Sequence, residues 1–136
     1  MTQGTRQLAT ALKSALKDSK DSDTKGQLAS FVTFLLNQAG ETIIINNLYK
    51  SFGLPLKIQQ QLKYGNDSIL HTPFKLSSVT LSKEISYKSI YLDNGAIISA
   101  EAASFDKCFE LETVGKGQQK FTTIGNINDI KYKARV

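Results

Sequence analysis

The spacing of apolar residues changes near residue 65. Before it, Leu8, Leu12 and Leu16 recur every four residues, which predicts a helix over 3–18. The polar stretch 17–26 is predicted to be a linker that offers Asp23 or Thr24 as the cap of the next helix. That helix is predicted over 25–38 and is followed by a left-handed cap at Gly40. Its apolar positions are Leu28, Phe31, Val32, Leu35 and Leu36.

The segment from Thr42 to Leu62 predicts two further helices separated by Gly53-Leu54-Pro55. Residues 43–45 are β-branched and could be extended, in which case Asn46 or Asn47 caps a short helix. Alternatively, that helix starts directly after Thr42. Either way it ends at Gly53, and Pro55 suits the first turn of the next helix, which stops at 65–67.

After Gly65, segments that alternate apolar and polar residues replace the helical pattern. Asn94-Gly95 lies between two such segments, 88–93 and 96–100, and is a strong signal for a two-residue hairpin turn. Residues 107–114, 119–124 and 127–133 predict more strand, while 100–107 is either one helical turn or a bulged connection.

These patterns together predict an α+β fold. Residues 1–65 form a helical half of three to four helices that contains a helix-turn-helix-like pair. Residues 66–136 form a four- or five-stranded antiparallel β meander, and the two parts pack as one compact unit.

Composition narrows the functional class. The 40% hydrophobic and 21% charged fractions suit a soluble globular protein, and no apolar run reaches membrane-spanning length. The single cysteine, Cys108, cannot form an internal disulfide, which favours the cytoplasm. The net charge of +5 suits an anionic partner. Because Arg6 and Arg135 are the only arginines, such a partner would be held mainly by lysine–phosphate contacts with little sequence reading.

Residues that would support catalysis are sparse. His71 is interpreted as a polar loop residue and Cys108 as a buried, inert thiol. One histidine and one cysteine are too few for the three or four ligands of a zinc site, and no phosphate-binding glycine loop follows a strand. The carboxylates of the β half are most simply surface charges. We therefore expect no enzymatic activity, no cofactor, no metal and no small-molecule substrate.

The pair of helices around Gly53 could bind DNA as a helix-turn-helix does. Lys50, Lys57, Gln60 and Lys63 are the candidate contacts, because lysine holds phosphate and glutamine can read adenine. Two positions depart from the motif: Tyr49 stands where a small residue is usual, and Gln59 where an aliphatic one is. A plain helical bundle and a protein-binding helix pair remain alternatives.

The C-terminal KYKARV is the other basic feature. Lys131, Lys133 and Arg135 alternate, so on a strand they share one face and could grip a phosphate backbone. Equally, they could protect an edge strand against aggregation.

Short motifs of the β half carry a family resemblance. They are Ile97-Ile98, Phe105-Asp106, 109–112 and Thr123-Ile124-Gly125. In this order they resemble the C-terminal part of the bacterial nucleoid-associated proteins of the 37-kDa class, over residues 27–130. Chains of that family are more than twice as long. The resemblance implies a non-catalytic protein of the cytoplasmic nucleoid that needs no cofactor. The alternative is a protein-interaction or homo-oligomerisation domain of a larger assembly.

Overall fold

The computed structural model describes residues 3–132 and shows an α+β fold with its helices concentrated in the N-terminal part. The helices are α1 (Gln3–Asp18), α2 (Ser22–Leu36), α3 (Ile45–Phe52), α4 (Leu56–Gln59), α5 (Ser78–Glu84) and α6 (Phe105–Cys108). The strands are β1 (Thr42–Ile43), β2 (Phe74–Lys75), β3 (Tyr87–Tyr91), β4 (Ile97–Glu101), β5 (Glu110–Val114) and β6 (Gln118–Thr122). Two 3-10 turns cover Asp67–His71 and Ala102–Ser104.

Both long predicted helices are confirmed, but both ends of α2 are shifted, and it ends at Leu36 rather than at residue 38. α2 begins three residues earlier than predicted because Asp21, rather than Asp23 or Thr24, is its N-cap. The Asp21 carboxylate accepts hydrogen bonds from the Asp23 N–H (3.2 Å) and the Thr24 hydroxyl (2.8 Å). These bonds satisfy donors that the first turn of a helix leaves unpaired.

A short two-stranded sheet ties the region after α2 to residues far along the chain. Thr42 pairs with Lys75, and Ile43 with Phe74. Gly40 is left-handed (φ 92°), as predicted, but it is not the cap of α2, whose C-cap is Asn37 in the right-handed region. The Gly40 N–H donates to the Leu76 carbonyl at 2.7 Å. Residue 43 is therefore extended, as in the alternative that predicted extended residues at 43–45. The following helix, however, starts at Ile45 with Ile44 as its cap, rather than after Asn46 or Asn47.

Helix α5 was not predicted, and it packs on α1. Thr5, fully buried on α1, connects the two: its hydroxyl accepts from the Ser77 N–H (2.8 Å) and donates to the Lys75 carbonyl (3.4 Å). The Ser77 side chain in turn caps α5 by accepting from the Thr80 N–H at 3.1 Å. The helical part of the molecule thus continues past residue 65.

One apolar core joins α1–α4 to β1, β2 and α5. Leu76 and Leu81, both from beyond residue 65, are almost completely buried in it. The packed core therefore crosses the predicted boundary between residues 65 and 66. The other buried members are Leu8, Ala11, Leu12, Ala15, Leu28, Phe31, Leu35, Ile43, Ile45, Leu48, Tyr49, Leu54, Ile58 and Leu62.

The prediction of one continuous meander is wrong. The described strands form three separate two-stranded antiparallel sheets, β1–β2, β3–β4 and β5–β6. The predicted hairpin is confirmed, but its turn has three residues, Asp93, Asn94 and Gly95, rather than two, because Leu92 bonds to Ala96 and Gly95 takes the left-handed conformation (φ 91°). The path from β4 to β5 is interrupted by 3-10 and α-helical turns over 102–108. Residues 123–132 contain no strand, so the strand predicted from 127 is absent over its described part.

A small aromatic cluster lies between the two C-terminal hairpins. Phe105 on α6 is buried; its ring lies 5.0 Å from that of Phe109, which is 6.4 Å from that of Phe121. The Lys88 ammonium on β3 stands 4.7 Å from the centre of the Phe105 ring, within the range of a cation–π contact. Cys108 ends α6 and is exposed, so the prediction of a buried thiol is wrong.

Candidate nucleic-acid interface

The turn of the predicted helix-turn-helix is present, but its second helix is a single turn. Gly53 ends α3 in the left-handed region (φ 81°), and the Gly53 and Leu54 N–H groups both donate to the Tyr49 carbonyl at 2.9 Å. α4 has only four residues. After it, Gln61 and Leu62 donate to carbonyls three residues back, so the chain tightens into turns. A recognition helix of several turns is therefore not formed.

Tyr49 and Gln59, the two departures from the motif, explain this geometry. Tyr49 is buried against the Phe31 ring (5.7 Å), and its hydroxyl lies 2.6 Å from that of Tyr64. The Gln59 amide donates to the Leu54 carbonyl at 2.7 Å. Both side chains act within the protein, and the contact with Tyr64 draws the chain back to α3 immediately after residue 62.

The tyrosine pair is uncharged at neutral pH. Burial raises the pKa of the Tyr64 phenol far above its usual value, and the nearby Tyr49 adds to the effect. Burial also raises the pKa of Tyr49, although the hydrogen bond with Tyr64 opposes this. The pair is consequently a structural contact that offers no charge to a ligand.

The predicted contact residues that the structure describes separate into three groups. Lys57 and Lys63 line a common cleft beside α1. Lys50 and Gln60 are exposed, but they do not line it. Lys131 is exposed on the strandless segment 123–132, with its ammonium 3.6 Å from the Asp129 carboxylate. Lys133 and Arg135 lie outside the described residues.

A groove lined mainly by polar and charged residues runs between α1 and residues 57–65. It consists of two clefts, of about 480 Å³ and 610 Å³, that share Thr10 and Lys63. We call this surface the α1 groove. The first cleft is lined by Gln3, Arg6, Gln7, Thr10, Lys63, Tyr64 and Gly65. The second is lined by Thr10, Ala11, Ser14, Ala15, Asp18, Ser19, Lys20, Asp21, Thr24, Lys57, Gln61 and Lys63.

The α1 groove is cationic overall. It has four basic side chains, of Arg6, Lys20, Lys57 and Lys63, and two acidic ones, of Asp18 and Asp21. The hydrogen bond from Thr24 is the main reason that the pKa of Asp21 lies below its usual value, and the charge of Lys57 contributes to the same effect. Arg6 is partly neutralised, since its guanidinium is 3.7 Å from the Glu84 carboxylate.

Sequence reasoning missed the two groove cations Arg6 and Lys20. A signal was available in part, because Arg6 lies on the polar side of the predicted first helix. Its proximity to Lys63, however, depends on how residues 57–65 fold back over α1. This proximity is a tertiary contact that no local pattern encodes.

Other chemistry is limited in the described part of the chain. Residues 3–132 contain no group of three or more His, Cys, Asp or Glu side chains placed to hold a metal ion. His71 is exposed at the end of a 3-10 turn, as predicted for a polar loop residue. No helix within this range is long and apolar enough to cross a membrane.

Comparison of the chain with protein-family models, with curated proteins and with solved structures finds no match. The resemblance to the nucleoid-associated proteins thus depends on its short motifs alone. In the structure these motifs lie on β4, on α6, at the entry to β5 and directly after β6.

Proposed function

We propose that this protein is a non-catalytic, nucleic-acid-associated module that holds duplex DNA through lysine–phosphate contacts with little sequence specificity. The observation that carries the proposal is the α1 groove, where four basic side chains from distant segments line one continuous surface. Lysine is well suited to phosphate as a point charge. If the proposal holds, the protein would be found with the nucleoid in the cytoplasm, as the family resemblance also implies.

The same geometry supports low sequence specificity. Base reading in the major groove needs a helix or a ribbon that enters it, and α4 is one turn long. The one arginine of the α1 groove is engaged by Glu84. The proposed contacts are therefore with the DNA backbone, and affinity should depend strongly on salt and little on sequence.

Salt dependence provides a quantitative test. Three to four phosphate contacts predict that the affinity for random-sequence duplex DNA falls roughly 40- to 150-fold between 50 and 200 mM salt. Fluorescence anisotropy with a labelled duplex at both salt concentrations measures this directly. An affinity that does not change with salt would refute the proposal.

Matched variants locate the contact. The Lys57→Gln/Lys63→Gln double variant removes two groove cations and should reduce the slope of log affinity against log salt by about 2. The Lys107→Gln/Lys116→Gln variant is the control, because it removes the same charge from exposed positions that do not line the groove. Equal effects of the two variants would show that overall charge, and not the α1 groove, determines binding.

A protein-interaction or oligomerisation domain is the second candidate. One observation favours it: large apolar side chains of the C-terminal hairpins and of residues 123–132 are exposed. Contiguous exposed apolar surface often marks an interaction site.

A further inference from the structure

The β3–β4 hairpin exposes an apolar face and an open strand edge. Tyr87 and Tyr91 on β3 and Ile97 on β4 point to the same face, and these residues are 68%, 75% and 61% exposed. A two-stranded sheet is marginally stable alone and usually gains a further strand or a covering layer. Among residues 3–132, no further strand pairs with this sheet.

The backbone of β3 offers a regular row of hydrogen-bonding groups at that edge. The Leu92 N–H donates to the Ala96 carbonyl and the Ala102 N–H to the Ser86 carbonyl, so the even-numbered residues of β3 bond to β4. The N–H and C=O groups of Tyr87, Ser89 and Tyr91 therefore point away from β4. In the part of the chain that the structure describes, no other hydrogen bond reaches these groups.

This edge also lacks the usual protection against pairing. Edge strands are commonly protected by proline, a bulge or exposed lysines. β3 contains neither proline nor a bulge, and its one lysine, Lys88, lies on the opposite face over the Phe105 ring.

We propose that β3 pairs antiparallel with β3 of a second copy of this chain, in a two-fold register centred on Ser89. A two-fold interface needs a surface that is complementary to itself. In this register Ser89 faces Ser89 of the second copy, and Tyr87 faces its Tyr91. These are also the residues whose backbone groups point outward, so each such pair exchanges two hydrogen bonds.

Charge and side-chain chemistry select β3 over the other edges. Paired with itself over its full length, β5 would place Glu112 against Glu112, and β6 would place Lys120 against Lys120. Like charges directly opposite each other are destabilising. β4 would place Ile97 against Glu101, whereas β3 places aromatic against aromatic, a favourable cross-strand pair.

The exposed area indicates how strong this dimer is. Only Tyr87 and Tyr91 meet the second copy across this edge, and together they expose roughly 200 to 350 Å² per copy, well under half of the ~800 Å² that one partner contributes to a standard interface; Ile97, on β4, is not covered by the pairing. We therefore expect a concentration-dependent dimer with a dissociation constant on the order of 10 to 100 µM. The proposal is independent of DNA binding.

A charge-pattern experiment tests the register. In Tyr87→Lys/Tyr91→Lys, like charges meet at both ends of the paired strands, and sedimentation should show dimerisation weakened at least about tenfold. In Tyr87→Lys/Tyr91→Glu, opposite charges meet at the same places, so the dimer should persist. The two variants lose the same tyrosines, and Val79→Lys, at an exposed site on α5, is the control for a general surface change.

Disulfide trapping provides a second measurement that depends only on position. In a Cys108→Ser background, Ser89→Cys places two thiols on the two-fold axis, where the Cα separation of about 5.5 Å suits a disulfide. Copper(II)–phenanthroline in air accepts the two electrons, and the two thiols release their protons as the bond forms. Ser99→Cys is the matched control, because the Ser89 and Ser99 hydroxyls lie 2.9 Å apart on the same face.

The outcomes separate the possibilities. Rapid covalent dimerisation of Ser89→Cys but not of Ser99→Cys supports the proposal. A wild-type protein that remains monomeric up to several times the expected dissociation constant overturns it. Equal weakening in the two charge variants, or faster trapping at position 99, overturns the register and indicates a different surface or partner.

Discussion

Truncating Leu76 tests whether residues beyond 65 belong to the same folding unit as α1 and α2. Leu76 lies just after β2, is fully buried in the core, and has its backbone bonded to Gly40 and Glu41. Leu76→Ala leaves these backbone bonds possible and removes only apolar contacts. The change therefore isolates the contribution of packing.

The structure predicts a large effect. Leucine-to-alanine substitutions at fully buried sites cost about 2–5 kcal/mol, since both transfer energy and a cavity contribute. With a loss of about 3 kcal/mol and a urea dependence of about 2 kcal/mol per molar, the unfolding midpoint falls by roughly 1.5 M. Stability of a domain is typically about 5–15 kcal/mol, so this is a substantial fraction of the total.

Urea unfolding followed by far-ultraviolet circular dichroism measures the change, as the chain has no tryptophan. Leu28→Ala, at a fully buried site on α2, should show a comparable loss in the same single transition. Leu111→Ala on β5, where the side chain is 61% exposed, should change stability by less than about 0.5 kcal/mol.

Two results would refute this reasoning. One is a Leu76→Ala protein as stable as Leu111→Ala. The other is a split transition in which the signal of α1 and α2 keeps its wild-type midpoint, because residues beyond 65 would then form a separate unit.

Three further predictions concern backbone and burial. Gly53→Ala should destabilise the protein by about 1–2 kcal/mol in thermal unfolding; no atom would clash with the added methyl, so the cost comes from the left-handed conformation alone. Gly4→Ala places a methyl 2.7 Å from the Phe74 ring, so thermal unfolding should show a net loss despite the better helix propensity of alanine. Stability should fall as the pH rises above about 10, because burial keeps the Tyr49 and Tyr64 phenols neutral in the folded protein, whereas they ionise in the unfolded chain.

Each of these has a specific check. Gly53→Asn should cost less than Gly53→Ala, since asparagine tolerates the left-handed region better. A stabilised Gly4→Ala would mean that the Phe74 ring moves away without penalty. For the pH effect, Tyr64→Phe should weaken the alkaline loss, and an unchanged pH profile would contradict the assignment to this pair.

Local pattern alone determined several features correctly. The spacing of leucines predicted α1 and most of α2, and Gly53 was recognised as the end of α3. Asn94-Gly95 correctly marked the place of the β3–β4 turn, although that turn has three residues rather than two. Helical periodicity, glycine's tolerance of positive φ and the position of a hairpin turn all depend on residues close in the chain. The overall α+β class follows from the same signals.

Tertiary structure alone decided the rest. β1 finds β2 more than 30 residues away, α5 is held by packing on α1, and α4 stops after one turn as Tyr64 returns to Tyr49. The division into three hairpin sheets and the convergence of groove cations likewise depend on contacts between distant segments. Local propensity cannot encode these features, because their free energy arises only when distant residues meet and bury surface together.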